Sequence, residues 1–332
     1  MRFSVIVPVF NRPEELHELL DSLTQQTWKD FEVIVVEDGS TRTAQAVVEQ
    51  FADKLNLRYL KQPNKGPAAA RNAGAQESQG EYVIFLDSDC FCPPHYLAAI
   101  AQQLQQEDLD GFGGPDTAHP SFTPLQKAIN YAMTGYFTTG GLRGRPSYGA
   151  DRFLPRSFNM GVRREAFFAV GGFEESLRFG EDIDLSLRLR QAGYRLRLIP
   201  EAWVYHRRRT RWWAFFKQVY NSGMARWYLT ERHPHSLALI HLLPSAFVGG
   251  VALLLGLAVW RWAFLLPLGG IAALWLGEAL LRYHYPLPTA LLCLWASFLQ
   301  LSGYGLGFLH AFFQRRILRR PPRHAFLRRF YS

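Results

Sequence analysis

Five β-formers in succession, Tyr82-Val83-Ile84-Phe85-Leu86, stop abruptly at Asp87-Ser88-Asp89. A short, wholly apolar run without period-two alternation describes a strand covered on both faces, the kind found inside a parallel sheet flanked by helices. The residues upstream repeat that arrangement. Phe3 to Val9 is a β-branched run, and Pro13-Glu14-Glu15 after it suits the first turn of a helix, with the acids on the positive end of its dipole. Leu16, Leu19, Leu20 and Leu23 then form one apolar face. Phe31 to Val36 is a second strand, Thr43 to Phe51 a helix, and Leu57 to Leu60 a third strand. The segment Lys65-Gly66-Pro67-Ala68-Ala69-Ala70-Arg71-Asn72-Ala73-Gly74 opens another helix, with small residues that allow close packing. Strand alternating with helix implies right-handed parallel crossovers and a doubly wound α/β sheet.

In such a sheet, ligands sit in the crevice beyond the carboxyl ends of the strands, which is where Asp87 and Asp89 project. A turn before Pro93-Pro94 would be the ordinary use of an Asp-Ser-Asp triplet. Two anionic oxygen donors at the tip of a buried strand suit a hard divalent cation, and such a cation suits a diphosphate. The second strand also ends in acids, Glu37-Asp38-Gly39-Ser40. No GxGxxG, GxxxxGK[ST] or GxSxG follows any strand, which removes most of the case for a dinucleotide dehydrogenase, a P-loop NTPase or an α/β-hydrolase.

Taken together, Val5-Ile6-Val7-Pro8-Val9-Phe10-Asn11, Glu37-Asp38-Gly39-Ser40, Gly66-Pro67-Ala68-Ala69-Ala70-Arg71-Asn72-Ala73-Gly74 and Asp87-Ser88-Asp89 resemble family 2 glycosyltransferases in order and spacing. The resemblance implies a GT-A fold, a mixed, mostly parallel sheet flanked by helices, over roughly residues 1–206. It also implies a nucleotide-sugar pocket made by Pro8, Phe10, Asn11, Asp38, Arg71, Asp87, Ser88 and Asn159, the last from the segment beneath the donor sugar. Mg²⁺ or Mn²⁺ would sit on Asp87 and Asp89, with His206 as a further ligand. The donor would be UDP-, dTDP- or GDP-linked.

Glu181, Asp182 and Asp184 open a helix whose apolar positions are Leu185, Leu189 and Ala192. Capping and dipole compensation account for acids in a first turn, but three exceed what a cap needs. The family places the catalytic base of an inverting transfer in a Glu-Asp pair at a helix start. Asp182 is therefore the expected base and Glu181 its competitor. Tyr194 to Ile199 and Ala202 to Tyr205 read as two further strands, the second leading into His206. Residues 111–148 read as loops around one helix near Leu125 to Thr134, with a mobile acceptor loop as one reading.

Beyond Arg232 the character changes. Leu237 to Trp260, Trp262 to Leu281 and Leu287 to Phe313 are each long enough for a hydrocarbon core of about 30 Å. The expected order is an interfacial amphipathic segment at 207–234, a helical membrane domain at 235–313 and a basic tail at 314–332. Seven arginines and no acid lie from Arg315 onward, so the formal charge of +9 belongs mostly to this tail. After apolar spans, such a run fits anionic headgroups on the cytoplasmic side better than nucleic acid. Three crossings would carry it to the opposite face, so the count stays at two or three. Glu278, inside an apolar run, is expected to face protein or an acceptor headgroup.

Cys90, Cys92 and Cys293 form no CxxC motif and are expected as free thiols in a reducing compartment. The N-terminus offers no signal-peptide pattern, so a multi-pass protein of the cytoplasmic membrane is expected, its catalytic domain facing the cytoplasm. The resulting expectation is a metal-dependent inverting glycosyltransferase acting on a lipid-linked or envelope-polysaccharide acceptor, with homo-oligomerisation left open and no nucleic-acid partner. The alternative is a catalytically silent GT-A-like domain that binds sugar nucleotide or scaffolds an envelope assembly.

Overall fold

The computed structural model describes residues 2–139, 153–177 and 179–320, which divide into two compact units. Residues 2–119 with 153–207 form the first, and residues 120–139 with 208–320 the second.

The first unit holds β1 (Phe3–Val9), α1 (Pro13–Thr24), β2 (Phe31–Asp38), α2 (Gln45–Phe51), β3 (Leu57–Gln62), α3 (Pro67–Gln76), β4 (Tyr82–Leu86) and β5 (Cys90–Phe91). After α4 (Tyr96–Gln106), β6 (Gly111–Gly113) and β7 (Asp116–Thr117), the chain leaves this unit. It returns for β8 (Asn159–Arg163), α7 (Arg164–Ala169), α8 (Glu181–Gln191), β9 (Leu196–Leu198) and β10 (Val204–His206). The second unit holds α5 (Pro124–Thr134), α6 (Tyr136–Thr139), α9 (Trp212–Arg232), α10 (Leu243–Ala258), α11 (Leu266–Leu281) and α12 (Leu287–Phe312).

The main sheet has seven strands in the order β3-β2-β1-β4-β8-β6-β9. From β3 to β4 all pairs are parallel, β8 runs antiparallel to both β4 and β6, and β9 is again parallel to β6. This is the mixed, mostly parallel α/β sheet expected. Every residue of β4 is buried, as its uninterrupted apolar sequence requires. The small residues of α3 allow it to lie close on the sheet: a Cβ on Gly74 would stand 2.5 Å from Ile6 Cγ2.

The reading of residues 111–148 as loops around one helix needs correction. Gly111–Gly113 is an interior strand, and its glycines serve close packing instead of a turn: Leu196 Cδ2 would lie 2.6 Å from a Cβ on Gly111. On the neighbouring β8, Gly161 leaves room for the Phe112 ring, which a Cβ would meet at 2.0 Å. The expected helix is present as α5, within the second unit, while residues 140–148 of the same stretch lie outside the described residues.

In the second unit, Ala128, Ile129, Tyr131, Ala132 and Met133 of α5 share one apolar core with Ala290, Cys293 and Ala296 of α12 and with Phe215 and Val219 of α9. Glu278 of α11 faces protein, as one of its two expected settings. Its carboxylate accepts hydrogen bonds from the Tyr136 amide at 2.8 Å, the Phe137 amide at 3.2 Å and the Tyr131 hydroxyl at 3.1 Å. Among the described residues, two helical stretches are long and apolar enough to cross a membrane, Trp262–Leu281 and Leu287–Ile317. The first apolar stretch forms a shorter helix of 16 residues, α10.

Candidate active site

The carboxyl ends of β1, β2 and β4 lie side by side because these strands are neighbours in the parallel part of the sheet. After β1, Asn11 adopts a left-handed conformation, φ 55°, which asparagine tolerates through local hydrogen bonding. Its backbone N–H donates to Ser40 Oγ at 2.8 Å, and its Oδ1 accepts from the amides of Thr41 at 2.8 Å and Arg42 at 2.9 Å. The ends of β1 and β2 are thereby tied into one rim, to which Pro8 and Phe10 belong by sequence, both partly exposed.

Asp38 is buried at the end of β2. Its carboxylate accepts from Gln62 Nε2 at 2.7 Å and from the amides of Lys65 and Gly66, each at 2.9 Å. This side chain, expected at the nucleobase, fixes the loop leading into α3.

Arg71 is the hub of the site. It is buried and joins two carboxylates, donating to Asp87 Oδ1 at 2.6 Å and to Glu181 Oε1 at 3.0 Å, with its guanidinium 5.5 Å from the Phe173 ring centre. The strand-end acid and the helix-start acid are thus brought together across 110 positions of sequence between Arg71 and Glu181. Asn72 holds the adjoining loop, accepting from the Phe173 amide and donating to its carbonyl, both at 2.9 Å.

The three acids of α8 take three different roles. Asp184 is fully buried and pairs with Arg188 at 2.8 Å, while Arg188 reaches the carbonyls of Val170 and Gly172; this is a structural clasp. Glu181 faces inward onto Arg71, and its pKa is pushed up to about 7, first by burial and then by the neighbouring Asp182 carboxylate, against the opposing pull of Arg71. Asp182 stays partly accessible at 15% of its side chain. Its Oδ1 accepts from the Ile183 amide at 2.8 Å and its Oδ2 from the Ser157 amide at 3.4 Å, with Arg156 at 3.9 Å.

A second cluster forms around Asp89. A three-stranded sheet, β5-β10-β7, sets His206 opposite Cys90 and Val204 opposite Asp116. In consequence His206 Nε2 lies 3.3 Å from Asp89 Oδ1, and its other ring nitrogen, Nδ1, lies 3.6 Å from Asp116 Oδ2. The Phe158 ring covers the imidazole with centres 4.9 Å apart. Arg12 also pairs with Asp89.

Ligand atoms of Asp89, Cys90 and His206 come within 4.8 Å of one another. The Cys90 thiol is buried, burial together with the carboxylates of Asp89 and Asp87 raises its pKa well above the usual thiol value, and a soft sulfur is a poor match for a hard cation. A carboxylate and an imidazole remain, the imidazole backed by a second carboxylate as in many metal centres. This donor set fits Mn²⁺ or Mg²⁺. Asp87 is not in that cluster, since Arg71 holds its Oδ1.

Of the other expected residues, Ser88 is buried between the two aspartates. Asn159 is not brought to the site surface. Its side chain is 1% exposed, accepting from the Tyr96 hydroxyl at 2.7 Å and donating to the Ala202 carbonyl at 2.8 Å, so it braces β8 from within the core. Asp116 was missed in the sequence because it stands in a glycine- and proline-rich stretch, far from any motif; only its pairing with β10 reveals it.

A GT-A-like sheet with acids at its strand ends defines a class, and comparison with known proteins defines the family. Residues 4–167 match the family model described as Glycosyl transferase family 2. A pre-mycofactocin glycosyltransferase of Mycobacterium tuberculosis is 30% identical over 342 aligned residues, covering 95% of this chain and 68% of that protein. An uncharacterised glycosyltransferase of Bacillus subtilis is 28% identical over 210 residues, 61% of this chain and 60% of its own length. The mannosyltransferase PcManGT from Pyrobaculum calidifontis, solved with GDP-Man and Mn²⁺, shares the fold at a TM-score of 0.66 and 21% identity, covering 93% of this chain and 87% of that one. The chain belongs to glycosyltransferase family 2. It spans 60% of the Bacillus relative and 68% of the Mycobacterium one.

Proposed function

We propose that the protein is a metal-dependent, inverting glycosyltransferase that moves a sugar from a nucleoside diphosphate donor to a membrane-associated acceptor, lipid-linked or an envelope polysaccharide. The observation that carries this reading is the Arg71 bridge. It draws the Asp-Ser-Asp strand end and the Glu181-Asp182 helix start together, the two halves that a displacement at an anomeric carbon requires.

Asp182 takes the proton of the acceptor hydroxyl as that oxygen attacks the anomeric carbon opposite the departing diphosphate. Its accessibility lets an acceptor reach it, whereas Glu181 is turned onto Arg71 and holds that guanidinium in place. Asp89 and His206 would hold the divalent cation, which when bound would supply positive charge beside the leaving diphosphate. Asp116 faces the far nitrogen of His206 and keeps Nε2 directed at Asp89. Residues 1–206 carry the chemistry. The apolar helices and the cluster of arginines beyond Gln314 keep the protein at the cytoplasmic membrane, with donor taken from the cytoplasm.

Calorimetric titration with UDP, dTDP and GDP, each with and without Mn²⁺, tests this. One nucleotide is expected to bind only with metal, and Asp89→Ala to abolish that binding; binding of none of the three would overturn the reading. In the same assay Asp116→Asn is expected to weaken Mn²⁺ affinity by about 10- to 100-fold, the usual cost of losing the partner of a ligating histidine. Unchanged Mn²⁺ affinity would make Asp116 a purely structural residue.

A further inference from the structure

Length and composition make α11 and α12 the two candidate membrane-crossing helices, but the surroundings of each helix divide them differently. The second half of α12 is pressed along α9. A Cβ on Gly303 would stand 2.5 Å from Val219 Cγ2, one on Gly307 2.0 Å from the Tyr220 carbonyl oxygen, and one on Gly223 2.0 Å from that of Tyr304. The two helices run parallel. Trp227 stacks edge-on against Phe308 and Phe312 at 5.5 and 4.9 Å, and Arg315 reaches Glu231 at 2.8 Å. Over that same length α9 carries Lys217, Arg226, Glu231 and Arg232. Charges cost about 2.5–3.5 kcal/mol each at the centre of a membrane helix, so α12 could not cross beside α9 without drawing several such costs with it.

The arms around Trp260 have the opposite setting. No residue of α10 is buried, and nothing lies within 4 Å of where a Cβ would stand on Gly249, Gly250, Gly256, Gly269 or Gly270. Leu253, Leu255, Val259, Leu265 and Leu266 are exposed there. Among the described residues the packing is at the base of the hairpin, through Pro244 and Val248 against Gly305, Phe247 against Trp275 at 6.0 Å and Phe298 at 6.2 Å, and through Glu278. Between His241 and Glu278 the sole charged residue is Arg261, set between Trp260 and Trp262. Tryptophan and arginine favour the boundary between lipid and water. The 16 residues of α10 and the 20 of Trp262–Leu281 span about 24 and about 30 Å, near the roughly 30 Å of a hydrocarbon core.

We propose that the α10–α11 hairpin is the element that enters the lipid bilayer, with Trp260-Arg261-Trp262 at the far face, and that α12 does not cross. Arg315, Arg316, Arg319 and Arg320 then stay on the same side of the bilayer as α9, Arg315 beside its end at Glu231, within reach of anionic headgroups. This removes the conflict between three apolar segments and two basic runs, one from Arg207 to Arg211 and the other from Arg315 onward. The inference rests on the membrane reading above and is independent of the transfer chemistry.

The test uses the full chain with an epitope at each end, in right-side-out and inverted membrane vesicles, together with Arg261→Cys. Both epitopes are expected to be cleaved by added protease in the same vesicle orientation. Arg261→Cys is expected to react with a membrane-impermeant maleimide only in the other orientation, above the background of the parent, whose three cysteines are buried. Epitopes on opposite faces, or Arg261→Cys labelled from the epitope face, would overturn the inference and leave membrane anchoring standing. Release of the protein by alkaline carbonate would overturn the membrane reading itself.

Discussion

Asp182→Asn is expected to lower the rate of sugar transfer by about 10²- to 10⁴-fold, the usual contribution of a positioned general base. Metal-dependent nucleotide binding should persist. The substitution keeps the shape of the side chain and an acceptor oxygen for the Ile183 amide, so the start of α8 should stay in place. What it removes is the ability to accept a proton from the incoming hydroxyl. Single-turnover transfer measured beside calorimetric donor binding separates the two effects. Transfer at the normal rate would move the base to Glu181. The structure gives the two acids distinct surroundings: Glu181 is engaged by Arg71, whereas Asp182 accepts from the Ile183 and Ser157 amides.

Arg71→Met is expected to destabilise the first unit by about 3–5 kcal/mol, because a similar-sized apolar side chain leaves Asp87 and Glu181 without their shared cation. Loss of donor binding should accompany it. The penalty should depend on pH in a defined direction. A carboxyl whose folded pKa is raised, here from 4.5 to about 7, holds its proton more tightly folded than unfolded. Its favourable contribution is therefore present at low pH and lost as pH rises through the folded value. Without Arg71, which pulls that value down, the loss should be larger. The gap in thermal midpoint between variant and parent should widen from about pH 5 to about pH 8. A gap that stayed constant, or narrowed, would show that Glu181 is not the group left unpaired.

Much of the first unit was legible because its signals are local. The bounds of β1 and the starts of β2, β3 and β4 follow from runs of β-formers, and α1 from its leucine spacing and Pro13. The amphipathic pattern of α4, with Leu97, Ile100, Ala101 and Leu104 buried on one face, is a local signal of the same kind. Gly111-Phe112-Gly113 reads as loop because glycine ordinarily breaks a strand; in the sheet each glycine is the space that a neighbouring side chain fills. Asn159 shows the converse case, a polar residue in a motif whose side-chain hydrogen bonds go to the core.

By itself the sequence determined the alternation of elements, the acids at the strand ends and at the start of α8, and the apolar character of the C-terminal third, since each depends only on residues within a few positions of one another. The tertiary structure alone decided which acids meet. Arg71 selects Asp87 and Glu181, a short sheet sets Asp89, His206 and Asp116 in a line, and Arg188 withdraws Asp184 into the fold. It also decided which apolar helices lie against protein and which stand open, because burial is a property of neighbours brought together by folding and composition records only the side chains available to be buried.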